Sequence, residues 1–225
     1  MTALAGRRFL VSVGALLALL MSVSALAAGS GSYQIRYNAD DQAAARAALL
    51  RRADLKPSSG WSGGQQKVTK DNLEPVTCAN LHPSVSDLVI TGAAGAEWWN
   101  GPLDLTSLAV VFRTTRMEVS DWQRTTTPPA AVSCLETSIA NGLGPGGKLQ
   151  SFEKISFPKV APRTLVFRLL AQTRSQGLTV PLTLYVVALA RGRTEITLLT
   201  SGLEGTPTKD AVARLARILA ARARA

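Results

Sequence analysis

Hydrophobic and polar positions alternate most regularly between Arg163 and Leu203, where the pattern predicts three consecutive β-strands, Thr164–Gln172, Thr179–Ala190 and Thr194–Ser201. In the middle one, Leu182, Leu184, Val186 and Ala188 share one face, and Thr183, Tyr185, Val187 and Leu189 share the other. A period of two, with one uniformly apolar and one mixed face, marks a central strand of an antiparallel sheet. Thr173–Gly177 and Arg191-Gly192 read as the turns on either side of it, with glycines able to take positive φ.

The same reading places the other elements around this block. Asp40 or Asp41 can cap a helix reaching about Ala53, with Ala45, Ala48 and Leu49 on its buried face. Trp61 follows the break at Pro57 and is expected to plug the core. Ser62–Pro83 reads as polar and irregular. A short strand at Asp87–Thr91 leads into a Gly/Ala-rich loop presenting Trp98-Trp99, and Leu108–Arg116 is a further strand. Glu118–Arg124 reads as one or two helical turns. Thr127-Pro128-Pro129 opens a second helix with Val132, Leu135 and Ile139 buried, closed by Asn141-Gly142. Lys148–Phe157 is a strand, and Thr206-Pro207 opens a C-terminal helix with Val212, Leu215 and Leu219 inward. Grouped strands with segregated helices predict an α+β class. The expected architecture is one antiparallel sheet of about six strands, with the N-terminal, middle and C-terminal helices mainly on one face. No internal repeat or splitting linker is visible, so residues 33–225 are expected to form a single domain.

The N-terminus changes the setting. Arg7 and Arg8 precede the apolar run Phe9–Leu26, and Ala25-Leu26-Ala27 places small residues where a signal peptidase reads. This predicts a secretory signal peptide over residues 1–27, cleaved after Ala27, followed by a flexible tail at 28–32. The alternative is an uncleaved N-terminal membrane anchor. Arg7-Arg8 before Phe9-Leu10 half matches a twin-arginine signal but lacks a residue between the pair and the Phe. Cleavage removes two arginines and no acid, so the formal charge falls from +10 to +8. Much of the excess sits in Pro207–Ala225, where Arg214, Arg217 and Arg222 are candidate contacts for an anionic polymer or a lipid surface. Export takes nucleic acid out of reach as a partner. The two cysteines, Cys78 and Cys134, both lie in the exported part. Outside the cytosol an even pair predicts one disulfide, with a chain-entropy benefit of roughly 4 kcal/mol.

Two motifs match by chance. Gly60-Trp61-Ser62-Gly63-Gly64 fits G-x-S-x-G but lacks the strand before and helix after that a nucleophile elbow needs. Gly142-Leu143-Gly144-Pro145-Gly146-Gly147 fits G-x-G-x-x-G but follows a helix and enters a strand, the reverse of a dinucleotide site. One histidine, His82, and two paired cysteines make no zinc site, so neither a metal nor another cofactor is expected. Asp87, Glu97, Asp104, Glu118, Asp121 and Glu136 read as scattered, which leaves no catalytic constellation. Trp98, Trp99 and Trp122 are the candidate walls of a ligand pocket, with Arg113 and Arg116 beside them for an anionic group.

The features carrying a family resemblance are the capped N-terminal helix followed by Asp54-Leu55 and Trp61, a cysteine before the first strands, a second in Ser133-Cys134-Leu135, and the strand turn at Ala190–Arg193. In this arrangement the chain resembles the PknH-type extracytoplasmic sensor domain and the related LpqN, Mog1 and PsbP-like secreted α/β sandwiches. The resemblance implies a cleft between helices and sheet able to hold a small ligand, and supplies no catalytic residues. Two readings follow. The first is an envelope-associated sensor-type domain binding an unknown small molecule; the alternative is an interaction protein using its basic C-terminal helix. An enzyme, by contrast, would gather perturbed titratable groups in a cleft.

Overall fold

The computed structural model describes residues 31–56, 60–175 and 178–223. The signal peptide expected at 1–27 and the turn at Gln176-Gly177 lie outside them. One mixed sheet of eight strands runs in the order β1-β3-β4-β8-β7-β6-β5, with β2 on the same strand edge as β1. The strands are β1 Gln34–Ile35, β2 Ser62–Gln66, β3 Val89–Asn100, β4 Leu103–Phe112, β5 Lys148–Lys154, β6 Arg163–Ser175, β7 Leu178–Arg191 and β8 Thr194–Leu203. The helices are α1 Ala39–Ala47, α2 Thr115–Thr125, α3 Pro129–Gly142 and α4 Lys209–Arg222.

The expected sheet of about six antiparallel strands is therefore corrected in two respects. Two strands are added, β1, which joins β3 in parallel, and the glycine-rich β2, and the short strand expected at Asp87–Thr91 is the start of the much longer β3. The Gly92–Ala96 run, expected as a loop, is the middle of the long strand β3. Its small residues are there because α1 lies directly on it. A Cβ at Gly92 would sit 2.2 Å from the Asp41 carbonyl oxygen, while Ala94 and Ala96 pack with Ala45 and Ala48 of the helix segment. Only residues without bulk allow that approach.

The helices also do not collect on one face. α1 and α4 cover one side, packing Leu49, Val212, Leu215 and Leu219 on Val187, Leu189, Ile196 and Leu198. α2 and α3 cover the other, where Ile139 meets Leu169, Leu182 and Leu184, and Met117 meets Ile90 and Phe112. The mixed face of β7 is as buried as its apolar face, with Thr183 at 4% and Tyr185 at 5% exposure. Burial on both faces is what a sheet between two helical layers requires.

Cap chemistry resets several boundaries. Asn38, not Asp40 or Asp41, caps α1 by accepting from the Asp41 amide at 2.9 Å. Asp41 is instead a buried partner of Arg193, at 2.7 and 3.1 Å, so its carboxyl is held well below the ordinary range. The strand expected to reach Arg116 stops at Phe112, because the Thr114 hydroxyl accepts from the Met117 amide and starts α2. Trp61 is in the core, as expected from its place after the break, at 5% exposure.

Candidate functional site

Helices α2 and α3 do not close fully on their face of the sheet. Between them and the sheet lies a cavity of about 270 Å³, lined by Tyr33, Val110, Trp122, Val132, Leu135 and Phe167 among others. A second chamber of about 200 Å³ adjoins it along β7 and β8, lined by Ser138, Ile139, Leu184, Leu199 and Ser201. Leu135, Val186 and Thr197 border both. The Ser201 hydroxyl, at the second chamber, is buried without a hydrogen-bond partner.

The segment 71–77 forms the outer wall of both chambers: Asn72, Glu74, Pro75 and Val76 line each one. It is held in place by the Cys78–Cys134 disulfide, which joins the end of this strap to the buried face of α3 with a Cα–Cα distance of 5.6 Å. The cysteines that predicted a staple thus fasten the cover of the cavity to one of its walls.

One end of the first chamber is acidic. The register across the sheet sets Val110, Glu195, Ala190 and Arg163 in a single row on the α2 side. Glu118 and Asp121, three residues apart on α2, project from one helical face onto that row. Glu118 is fully buried and bound by the Arg163 guanidinium, with the Nε contact at 3.0 Å. Asp121 accepts the Tyr33 hydroxyl at 2.6 Å and the Thr125 hydroxyl at 3.4 Å. Glu195 stands close enough to both helix carboxyls to interact with them electrostatically. Its Oε1 is buried without a hydrogen-bond partner.

The electrostatics follow from this crowding. Burial, then the charges of Asp121 and Glu118, push the Glu195 carboxyl well above the ordinary range. Burial also raises Glu118 and Asp121, despite Arg163 and Tyr33 pulling the other way. The Tyr33 hydroxyl is raised by burial and by Asp121. The cluster therefore retains a proton that isolated carboxyls would release.

The residues singled out in the sequence are distributed more widely. Trp122 lines the first chamber. Trp98 lies across the sheet, packed on the α1–α4 core with its indole donating to the Leu50 carbonyl at 3.2 Å. Trp99 is 39% exposed, beside Ser62 and Asp104 in register. Arg113 and Arg116 are exposed beyond the end of β4 and on α2, away from the cavity lining. Of the C-terminal arginines, Arg214 donates to the Asp54 carbonyl at 2.8 Å. Arg222 binds the Asp54 carboxylate at 2.6 and 2.7 Å and the Leu49 carbonyl at 2.9 Å. These two fasten α4 to the segment after α1, and Arg217 alone of the three is exposed. The sequence pattern by itself does not single out Glu195, and it leaves Glu118 and Asp121 looking scattered. The pattern did carry a sign of them: an i, i+3 acid pair on a helix, and a carboxylate at an alternating position of an otherwise apolar strand.

Among the described residues no helix is long and apolar enough to cross a membrane. The disulfide fits an extracytoplasmic setting. No protein-family model matches the chain, and no curated protein matches it. Among solved structures, the chain is similar to an uncharacterized protein (Rv0999 ortholog) from Mycobacterium smegmatis, at 16% identity and a TM-score of 0.42, over 82% of this chain and 98% of that one. A likeness of that size brings neither a fold assignment nor a function with it.

Proposed function

We propose that this is an exported, disulfide-stapled sensor-type domain that binds a small, largely apolar ligand between its sheet and the α2–α3 layer. The observation that carries the reading is the pair of adjoining chambers, with apolar walls and a few converging polar groups at one end. That combination is how small-molecule sites are built. Binding through the C-terminal helix comes second, because Arg214 and Arg222 are already engaged within the fold.

One observation favours a catalytic reading as well: Asp121 and Glu195, perturbed titratable groups, line the first chamber, with the perturbed Glu118 buried beside them. Binding is placed ahead of it because Glu118 is occupied by Arg163, and among the described residues no histidine, lysine or thiol lines either chamber.

Native mass spectrometry of the oxidised protein from its own host tests the proposal, beside a Leu135→Trp variant that fills the cavity. The expected result is a small-molecule adduct on the first protein and none on the variant. An adduct on both, or on neither, counts against the cavity as the binding site. A product mass appearing as an added adduct is consumed would favour catalysis.

A further inference from the structure

The chain is strongly basic, with 25 Lys and Arg against 15 acids, yet its cavity is not. The charged side chains lining the two chambers are Asp71, Glu74, Asp121 and Glu195, and no Lys, Arg or His lines either among the described residues. A concave, low-dielectric site lined by one sign of charge focuses its field and concentrates ions of the opposite sign. Here that sign is opposite to the net charge of the chain, so the lining is not an echo of overall composition.

The acidic end also lacks cations of its own. Of the basic residues nearby, Arg163 is bound to Glu118. Arg124 turns outward to the Asp87 carboxylate, at 2.5 and 3.0 Å, and to the Ser84 carbonyl at 2.7 Å. Asp121 accepts the hydroxyls of Tyr33 and Thr125 and lies against Glu195, with Glu74 a further acid on the cavity wall. Glu195, half-buried on β8 and lining the chamber, presents a buried Oε1 with no hydrogen-bond partner. The walls beside them carry the rings of Tyr33, Trp122, Phe112 and Phe167, whose faces attract cations.

Resting on the ligand-binding reading above, we infer that the ligand is an organic cation: an apolar body held in the chambers, and a protonated amine seated between Asp121 and Glu195. An ammonium group supplies both missing parts, a donor for Glu195 Oε1 and a positive charge for the one carboxylate that Arg163 and the retained proton leave unbalanced. A carboxylate or phosphate ligand would meet only like charge there.

Calorimetric titration of the oxidised protein at neutral pH, with octylamine, octanol and octanoate as probes of matched shape, tests the inference. The expected order is octylamine tighter than octanol by at least about tenfold, equivalent to about 1.4 kcal/mol, with octanoate weakest. Asp121→Asn and Glu195→Gln are expected to remove the amine preference while octanol binding persists. Octanol and octylamine binding equally, or octanoate binding best, overturns the cationic ligand but leaves the apolar cavity reading standing. If all three bind the Leu135→Trp variant as well as the parent, the cavity reading itself fails. Octanol binding to both carboxyl variants shows that they are folded.

Discussion

The Tyr33 hydroxyl donates to Asp121 Oδ1 at 2.6 Å, tying the chain at the start of β1 to the inner face of α2 across 88 residues of sequence. That bond holds one wall of the cavity against its acidic end. It also keeps Asp121 aimed at Glu195 rather than at solvent. The arrangement costs folding energy, because Glu118, Asp121 and Glu195 crowd together while the one guanidinium beside them is bound to Glu118, and function is the common reason such clusters persist.

The cost gives a pH prediction. Glu195 titrates higher in the folded protein than in the unfolded chain, so its stabilising contribution is complete below the unfolded value of about 4 and is lost as pH rises through the folded one. Wild-type protein should therefore lose stability from mildly acidic to alkaline buffer, and Glu195→Gln should lose less. Denaturant midpoints of both proteins across that range measure it. A variant less stable than wild type at alkaline pH would contradict the cost assigned to Glu195.

Asp104, on β4 opposite Ser201, offers a second and separable case. Burial and the nearby Glu97 raise its carboxyl to about 6. The sign is the same: stability is present below the unfolded value and lost as pH rises through about 6. Asp104→Asn should be more stable than wild type by about 3 kcal/mol at alkaline pH and nearly equal to it in acid. Thermal unfolding at the two extremes checks both halves.

Removing the staple should damage the cover of the cavity as well as the fold. Cys78→Ser with Cys134→Ser opens a loop of sequence separation 56, and a loss of roughly 4 kcal/mol is expected. Because Asn72, Glu74, Pro75 and Val76 line both chambers, amide exchange in segment 71–77 should accelerate more than in β6 or β7. Equal acceleration everywhere would mean that the disulfide stabilises the chain without organising the strap.

The contact between α1 and β3 is open to a single-atom test. Gly92→Ala places a Cβ against the Asp41 backbone, so α1 must shift from the strand, at a cost of about 2 kcal/mol. The shift also strains the Asp41–Arg193 pair. A neutral effect on the denaturation midpoint would show that the helix has room the structure does not give it.

The legible parts of the sequence were those where side-chain pattern and burial agree. β6, β7 and β8 alternate cleanly and appear within a few residues of their expected limits. β3 was illegible because Gly92–Ala96 carries no alternation of bulk. Those residues are chosen for the closeness of α1, a tertiary fact that local propensity does not encode. The placement of helices on both faces was hidden for a related reason. Thr183 and Tyr185 look like surface residues beside Leu182 and Leu184, yet they are buried under the α1–α4 layer. At the site, Trp122 was named from the sequence, but the acids it stands beside were not assembled. Glu195 reaches Asp121 only through the pairing of β8 with β4 and the seating of α2 on that sheet.

The central claim, a ligand cavity between the sheet and the α2–α3 layer, is tested most directly by amide chemical shifts of the isotope-labelled, oxidised protein during titration with octanol. The account predicts saturable shifts at Tyr33, Val76, Trp122, Leu135 and Glu195, all around the first chamber. Shifts confined to the opposite face, around Leu50 and Trp98, or no saturable shift at all, would contradict it.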